Sequence, residues 1–300
     1  MGVIGKLQWR AKVLWSKLRG KEVYGWKQVL REILRKHRDE YPYPYRIEFA
    51  EAGEDLVQVH FPNGLKIYCP RAYNKSFVIV PILYDEIYGP QGCIYELPGR
   101  VEVREGDVVI DGGACEGLFS IYCLTKGATV VCVEPNPTMA EALKKTLHPW
   151  VEKGKAIVVQ KLLGDEKGEA ELYINLDNVA GSSTDEIRVK KSVESEIAVV
   201  KASIVTLDEL VEELSLSKVD LVKLDVEGAE RKVIVGSKKT IEKFHPKWSV
   251  ACYHLKDDYP VLPNLLKSRN PSYEIGVGFT WNLIIEEGSP YLRPKVIFAY

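Results

Sequence analysis

Apolar residues recur at helical spacing over the first forty positions. Leu7, Ala11, Leu14, Trp15 and Leu18 form one stripe, and Val23, Trp26, Leu30, Ile33 and Leu34 form a second. Arg10, Lys12, Lys17 and Arg19 lie largely off the first stripe, so the pattern predicts two basic amphipathic helices. The string from Tyr41 to Tyr45 (YPYPY) ends them, because its prolines disfavour helix. Alternation then takes over at residues 46–50, 56–61 and 65–69. The last two runs are joined by Pro62, Asn63 and Gly64, and Asn-Gly between alternating runs signals a hairpin. Beyond residue 101, apolar runs at 107–110, 129–133, 156–162, 219–224 and 248–253 alternate with helical stretches at 118–125, 138–147 and 233–243. Near-continuous apolar strands are buried on both faces, which predicts a parallel sheet with helices on each side. Residues 170–175 and 198–204 read as strands around a polar stretch, 177–196, that reads as a mobile loop or lid. Residues 274–278, 281–286 and 295–300 read as antiparallel edge strands closing the sheet.

This pattern divides the chain into a basic helical extension (1–40), a small β-hairpin region (41–94) and an α/β domain (95–300). With 300 residues, 46 % hydrophobic and 28 % charged, there is ample core material for a globular chain. Collagen-like, low-complexity and disulfide-stapled classes are excluded. The net charge of −1 hides an asymmetry: residues 1–38 carry +9 and the rest −10. Attraction to nucleic acid or an anionic membrane is therefore confined to residues 1–38. The blander expectation for that segment is a helical cap whose tryptophans pack on the main domain. Six cysteines without a CxxC pair, several within apolar runs, read as reduced core thiols. No run approaches the roughly 18 apolar residues of a membrane span, and the opening MGVIGKLQWRAKVLW has no secretory core. These features predict a cytoplasmic protein, with peripheral membrane attachment through the basic helices as a variant. Asn and Gln total only 13 and Met 2, which tilts toward a heat-adapted source.

Three segments carry chemistry. In VVIDGGACEGLFSIYC (108–123) a strand ends at Asp111, a glycine-bearing turn follows, and a helix opens after Gly117. Ligands bind at such carboxyl edges of parallel sheets. A dinucleotide site wants GxGxxG, so that a pyrophosphate sits on the helix N-terminus. Here the pattern is Asp111, Gly113, Gly117, with Cys115 in the place of the middle glycine. A carboxylate there suits a cation such as the sulfonium of S-adenosylmethionine. The next strand ends at Glu134, which can accept both ribose hydroxyls of an adenosine. That feature suits S-adenosylmethionine and NAD alike. In VDLVKLDVEGAE (219–230), Lys223 stands inside an apolar strand, so it needs a carboxylate partner. Asp225 and Glu227 follow at the sheet edge as candidate site residues, whereas Glu230 is read as helix N-terminal electrostatics.

These segments, with VEPNP and a strand ending Tyr253-His254, resemble the FkbM-type S-adenosylmethionine-dependent methyltransferases over roughly residues 95–300. The resemblance implies a class I methyltransferase fold: an α/β, Rossmann-like, doubly wound and mostly parallel seven-stranded sheet. It implies that Asp111, Gly113 and Gly117 form the methionine-side loop, that Glu134 meets the ribose and that Asp165 lies near the adenine. A plain turn role for Asp165 is the alternative. Two departures stand out: Cys115 replaces the usual Asn, and Cys252 replaces a Glu found two residues before the His in other branches, leaving the surroundings of His254 less acidic.

Methyl transfer to a hydroxyl needs alignment and a proton acceptor. Asp225, His254 and Glu227 are the catalytic candidates, with Lys223 orienting a carboxylate and His254 having the pKa best matched to neutral pH. The sequence offers no clean metal-ligand set, though Asp225 and Glu227 could share a divalent ion. The expected acceptor is a hydroxyl on a sugar, glycan or other small molecule. An RNA methyltransferase tethered through residues 1–38 is the alternative, and a cofactor-binding scaffold without turnover is a third reading. Joint presence of Asp111, Glu134 and Asp225 argues against the last.

Overall fold

The computed structural model describes residues 47–71, 79–176, 182–185, 196–278, 281–286 and 289–300, with Ala11, Leu14, Lys17, Leu18, Trp26 and Leu30. Those six are helical; the rest of the two basic helices and most of the expected lid lie outside the described residues.

Strands β1 (Glu48–Glu51), β2 (Leu56–His60) and β3 (Lys66–Pro70) form an antiparallel meander. Its hairpin turns at Gly64, whose φ of 83° only glycine adopts cheaply. Helix α1 (Ile79–Tyr88) follows, then β4 (Val108–Gly112), α2 (Leu118–Thr125), β5 (Thr129–Val133), α3 (Pro137–Val151) and β6 (Ala156–Val159). Strands β7 (Leu162–Gly164), β8 (Gly168–Asn175) and β9 (Ile197–Thr206) make a separate sheet, leading into α4 (Leu207–Glu213). The chain returns through β10 (Leu221–Leu224), α5 (Glu230–Val235), α6 (Lys238–Phe244), β11 (Lys247–Ala251), α7 (Asp258–Arg269) and β12 (Ile275–Val277). It ends with β13 (Trp281–Glu286), β14 (Ser289–Pro294) and β15 (Val296–Ala299).

Seven strands pair in the order β6-β5-β4-β10-β11-β15-β12. The first five run parallel, and β15 runs antiparallel to both neighbours. This is the doubly wound, mostly parallel sheet expected from the sequence. Side-chain alternation divides each strand between two cores. Val130 and Cys132 of β5 face a core shared with the meander, α1, α2 and α3. Val131 and Val133 face a core shared with α4 through α7. The meander is tied to α3, where Thr146 Oγ1 accepts the Tyr68 amide at 2.8 Å. Strand order reverses between β4 and β10, so their carboxyl ends flank a crevice, the usual ligand position in such sheets.

Several elements depart from the sequence reading. The run at 156–162 breaks in two: β6 stays in the main sheet while β7 leaves to pair with β9. The helix expected over 233–243 is two short helices broken at Gly236. A Cβ there would lie 2.3 Å from the carbonyl oxygen of Gly164, so close packing fixes the break. Residues 281–286 do not close the sheet; among the described residues, β13 pairs with β14 alone, in a hairpin. Nor is the final strand an edge: β15 lies between β11 and β12 with all four residues buried. Helices α1 and α4 were not foreseen; α4 follows β9 without a break, so its apolar positions merge with that strand.

Candidate active site

Two loops meet in the crevice. The first leaves β4 at Gly113, whose φ is 72° and whose added Cβ would stand 1.9 Å from the carbonyl oxygen of Asp225. Glycine is thus required where the β4 loop presses on the β10 loop. Cys115, at φ 49°, and Glu227, at φ 54°, are non-glycine residues held in left-handed backbone on these two loops. Such conformations are costly and cluster at functional sites. Gly117 caps α2 at φ 87°.

Asp111 is fully buried beneath the first loop. Its Oδ1 pairs with Lys223 Nζ at 3.0 Å, and its Oδ2 accepts the Ser120 hydroxyl at 2.6 Å. The lysine in the apolar strand therefore has its carboxylate, but that carboxylate turns inward. Lys223 also donates to the Gly113 carbonyl at 2.8 Å. Burial alone would lower its pKa; Asp111 and Asp225 more than offset this and raise it.

Glu134 directly follows β5 and is 7 % exposed. Its two oxygens accept the amides of Cys115, at 3.0 Å, and Asn136, at 2.9 Å. It anchors the first loop while keeping lone pairs for further donors. Burial pushes its carboxyl up to about 7.

Asp225 is held on three sides. Tyr95 donates to Oδ2 at 2.5 Å, Tyr253 donates at 3.2 Å to Oδ1, and His254 Nε2 lies 3.3 Å from Oδ1. Burial and the adjacent carboxylate raise both tyrosine pKa values, which keeps the phenols as donors. The His254 side chain is 1 % exposed, with Nδ1 at 2.8 Å from Glu230 and Nε2 at 3.7 Å from Glu227. Burial would lower its pKa, yet Glu230, Asp225 and Glu227 carry it up to about 9. Even with Cys252 in place of a Glu, three carboxylates surround the ring and favour its protonated form. Cys252 instead points into the core, its thiol donating to the Pro294 carbonyl at 3.0 Å.

Two cavities open beside this cluster. One, of about 620 Å³, runs from Gly113 past Glu134 to Leu162, Leu163 and the 182–184 segment. The other, of about 560 Å³, lies toward α1 and α2. They share Gly113, Cys115, Asp225 and Glu227 as a common wall. Ser183 closes the first cavity, its hydroxyl donating to the Glu227 carbonyl at 3.1 Å.

Of the residues singled out in the sequence, Gly113, Glu134, Asp225 and Glu227 line a cavity directly, as does Lys223. Asp111, Gly117 and His254 stand behind the walls. Asp165 does neither: it is an exposed turn residue between β7 and β8, and Leu162 and Leu163 occupy the wall in its place. Tyr95, Glu116, Ser183 and Glu230 were missed as site residues. Asp225, Glu227 and His254 also have ligand atoms within 4.8 Å of one another and could hold a metal ion. His254 supplies the third ligand that the 219–230 segment alone lacks.

Comparison with known proteins agrees with the geometry. AmbE, an antimetabolite synthetase of Pseudomonas aeruginosa, is 25 % identical over 223 residues, covering 62 % of this chain but 10 % of AmbE. The chain thus matches a small part of that much longer relative. The 31-O-demethyl-FK506 methyltransferase FkbM of Streptomyces tacrolimicus is 27 % identical over 208 residues, covering 61 % of this chain and 76 % of the relative. The hexuronic acid methyltransferase AglP of Haloferax volcanii is 27 % identical over 141 residues, or 47 % of this chain and 54 % of AglP. The family model of the methyltransferase FkbM domain matches residues 111–272, from the carboxylate that ends β4 to the turn after α7. It spans more than half of the chain and takes in both loops of the crevice, and on that ground the protein belongs to the FkbM methyltransferase family.

Proposed function

We propose that this protein is an S-adenosylmethionine-dependent O-methyltransferase acting on a hydroxyl of a sugar or other small molecule. The observation that carries this reading is the pair of cavities separated only by the Gly113, Cys115, Asp225 and Glu227 wall.

The first cavity suits the cofactor. Val133, Leu162, Leu163 and Val226 give an apolar slot for a purine, and Glu134 retains acceptor capacity for ribose hydroxyls. Its single lining cation among the described residues, Lys161, is paired with Glu213 at 2.6 Å, which leaves little to hold a pyrophosphate. That favours a sulfonium nucleoside over a dinucleotide. When bound, S-adenosylmethionine supplies an electrophilic methyl group.

The chain's own residues do the rest. Asp225 faces both cavities and takes the proton of the acceptor hydroxyl. Tyr95, Tyr253 and His254 fix its carboxylate from three sides, so orientation is set before the acceptor arrives. His254, buried among three carboxylates, is a positioning residue, and Lys223 with Asp111 supports the loop beneath. Equilibrium binding of S-adenosylhomocysteine and of NAD to the full chain tests the assignment. Binding of the first without the second is expected; binding of NAD alone would sink it.

A further inference from the structure

The second cavity has a chemistry of its own. Tyr95, Phe119 and Tyr253 supply aromatic wall, with Tyr95 and Phe119 edge to face at 5.3 Å. Glu116 lines it at 5 % exposure, and its Oε2 has no hydrogen-bond partner among the described residues. A buried oxygen of this kind is costly to leave unmatched and is relieved by a ligand that donates a hydrogen bond. Asp225 places a second acceptor on the shared wall. The one cation lining the cavity among the described residues is Lys223, and Asp111 and the Gly113 carbonyl already engage its ammonium. Glu86, also in the lining, is matched by Lys295 from outside it.

We propose that this cavity is the acceptor site, and that it takes a sugar-sized ring bearing hydroxyl or ammonium donors while rejecting rings that carry a carboxylate or phosphate. The aromatic walls cover the apolar faces of such a ring, Glu116 receives a donor at one end, and Asp225 receives the reacting hydroxyl at the other. An anionic group would enter without a cation to meet it, beside Glu116, Asp225 and Glu227. The proposal rests on the methyl-transfer reading above, because the acceptor must reach the wall that the two cavities share.

The test is calorimetry on the full chain with S-adenosylhomocysteine bound, using three probes of one ring shape: methyl glucoside, glucosamine and glucuronate. The first two are expected to bind, and glucuronate at least about tenfold more weakly, the equivalent of one unpaired charge at a partly wet site. Glu116→Gln should weaken glucosamine relative to methyl glucoside by about tenfold while leaving S-adenosylhomocysteine affinity unchanged. Glucuronate binding as tightly as the others, or none of the three binding to the loaded protein, overturns the proposal without touching the cofactor assignment. Failure of S-adenosylhomocysteine itself to bind overturns the methyl-transfer reading first, and this proposal with it. The wild-type comparison needs no variant, so it stands even if Glu116→Gln does not fold.

Discussion

Glu230 grips Nδ1 of His254 at 2.8 Å where neither side chain reaches solvent, so the opposite ring nitrogen is aimed at Asp225 and Glu227. A ring fixed this way is a charged strut for the crevice. Its folded pKa of about 9 lies above the ordinary 6.5. The stability it contributes is therefore fully present below about 6.5 and is lost as pH rises through about 9. Between pH 7 and 9.5, the Tm of wild type should fall further than that of His254→Gln. Parallel curves would remove the buried ion pair from the account.

Asp225→Asn should lower turnover at least about 10²-fold, because an amide cannot take the hydroxyl proton. Affinity for S-adenosylhomocysteine should stay near wild type. His254→Ala should lower turnover too, with a changed alkaline limb in the pH profile. Unaltered turnover in both variants would exclude the pair from the mechanism.

Glu134→Gln should release one of the two amides it anchors, since a side-chain NH2 cannot accept from Cys115 or Asn136. The loss is about 1–3 kcal/mol, or roughly ten- to hundredfold in S-adenosylhomocysteine affinity. Burial holds this carboxyl up to about 7, and ribose hydroxyls need the ionised form as acceptor. Wild-type affinity should thus climb with pH between about 6 and 8, and the Gln variant should not follow it. Titration calorimetry at several pH values decides.

Gly113→Ala forces a methyl to within 1.9 Å of backbone at Asp225. Gly64→Ala is the control, with a similar φ but nothing within 4 Å. The control should cost about 1–2 kcal/mol in urea unfolding, from its backbone conformation alone. Gly113→Ala should cost more and also displace Asp225. Equal losses at the two positions would mean that the loops can part.

Lys223→Met leaves Asp111 buried without its ion-pair partner, and a loss of about 3–5 kcal/mol is expected. Adding Asp111→Leu should recover part of it, as removing both charges removes the penalty. A double variant no more stable than the single one would show that the pair is not the source.

Much of this was readable in the sequence because it is local. Strand β5 matches its apolar run residue for residue, and Asp225 and Glu227 follow their strand as written. The need of Lys223 for a carboxylate was also legible, since a lysine among buried neighbours must be paired. The identity of that partner was not: Asp111 is adjacent only because β4 and β10 pair in register. Tyr95 escaped notice for the same reason, standing 130 residues from the carboxylate it binds. The role of Glu230 was hidden because an acidic residue in a first helical turn already has an ordinary explanation. Asp165 shows the converse, a suggestive position that the split of one strand into β6 and β7 carried to the surface.

The interior placement of β15 has a bearing on synthesis. Residues 296–299 fill a slot between two strands made earlier, so the sheet cannot be completed until residue 299 has left the ribosome. Until then β11 and β12 present open backbone to one another, a state that invites wrong partners. A nonsense codon a few positions before 296 would leave β12 with no partner in the main sheet and β11 with an open edge.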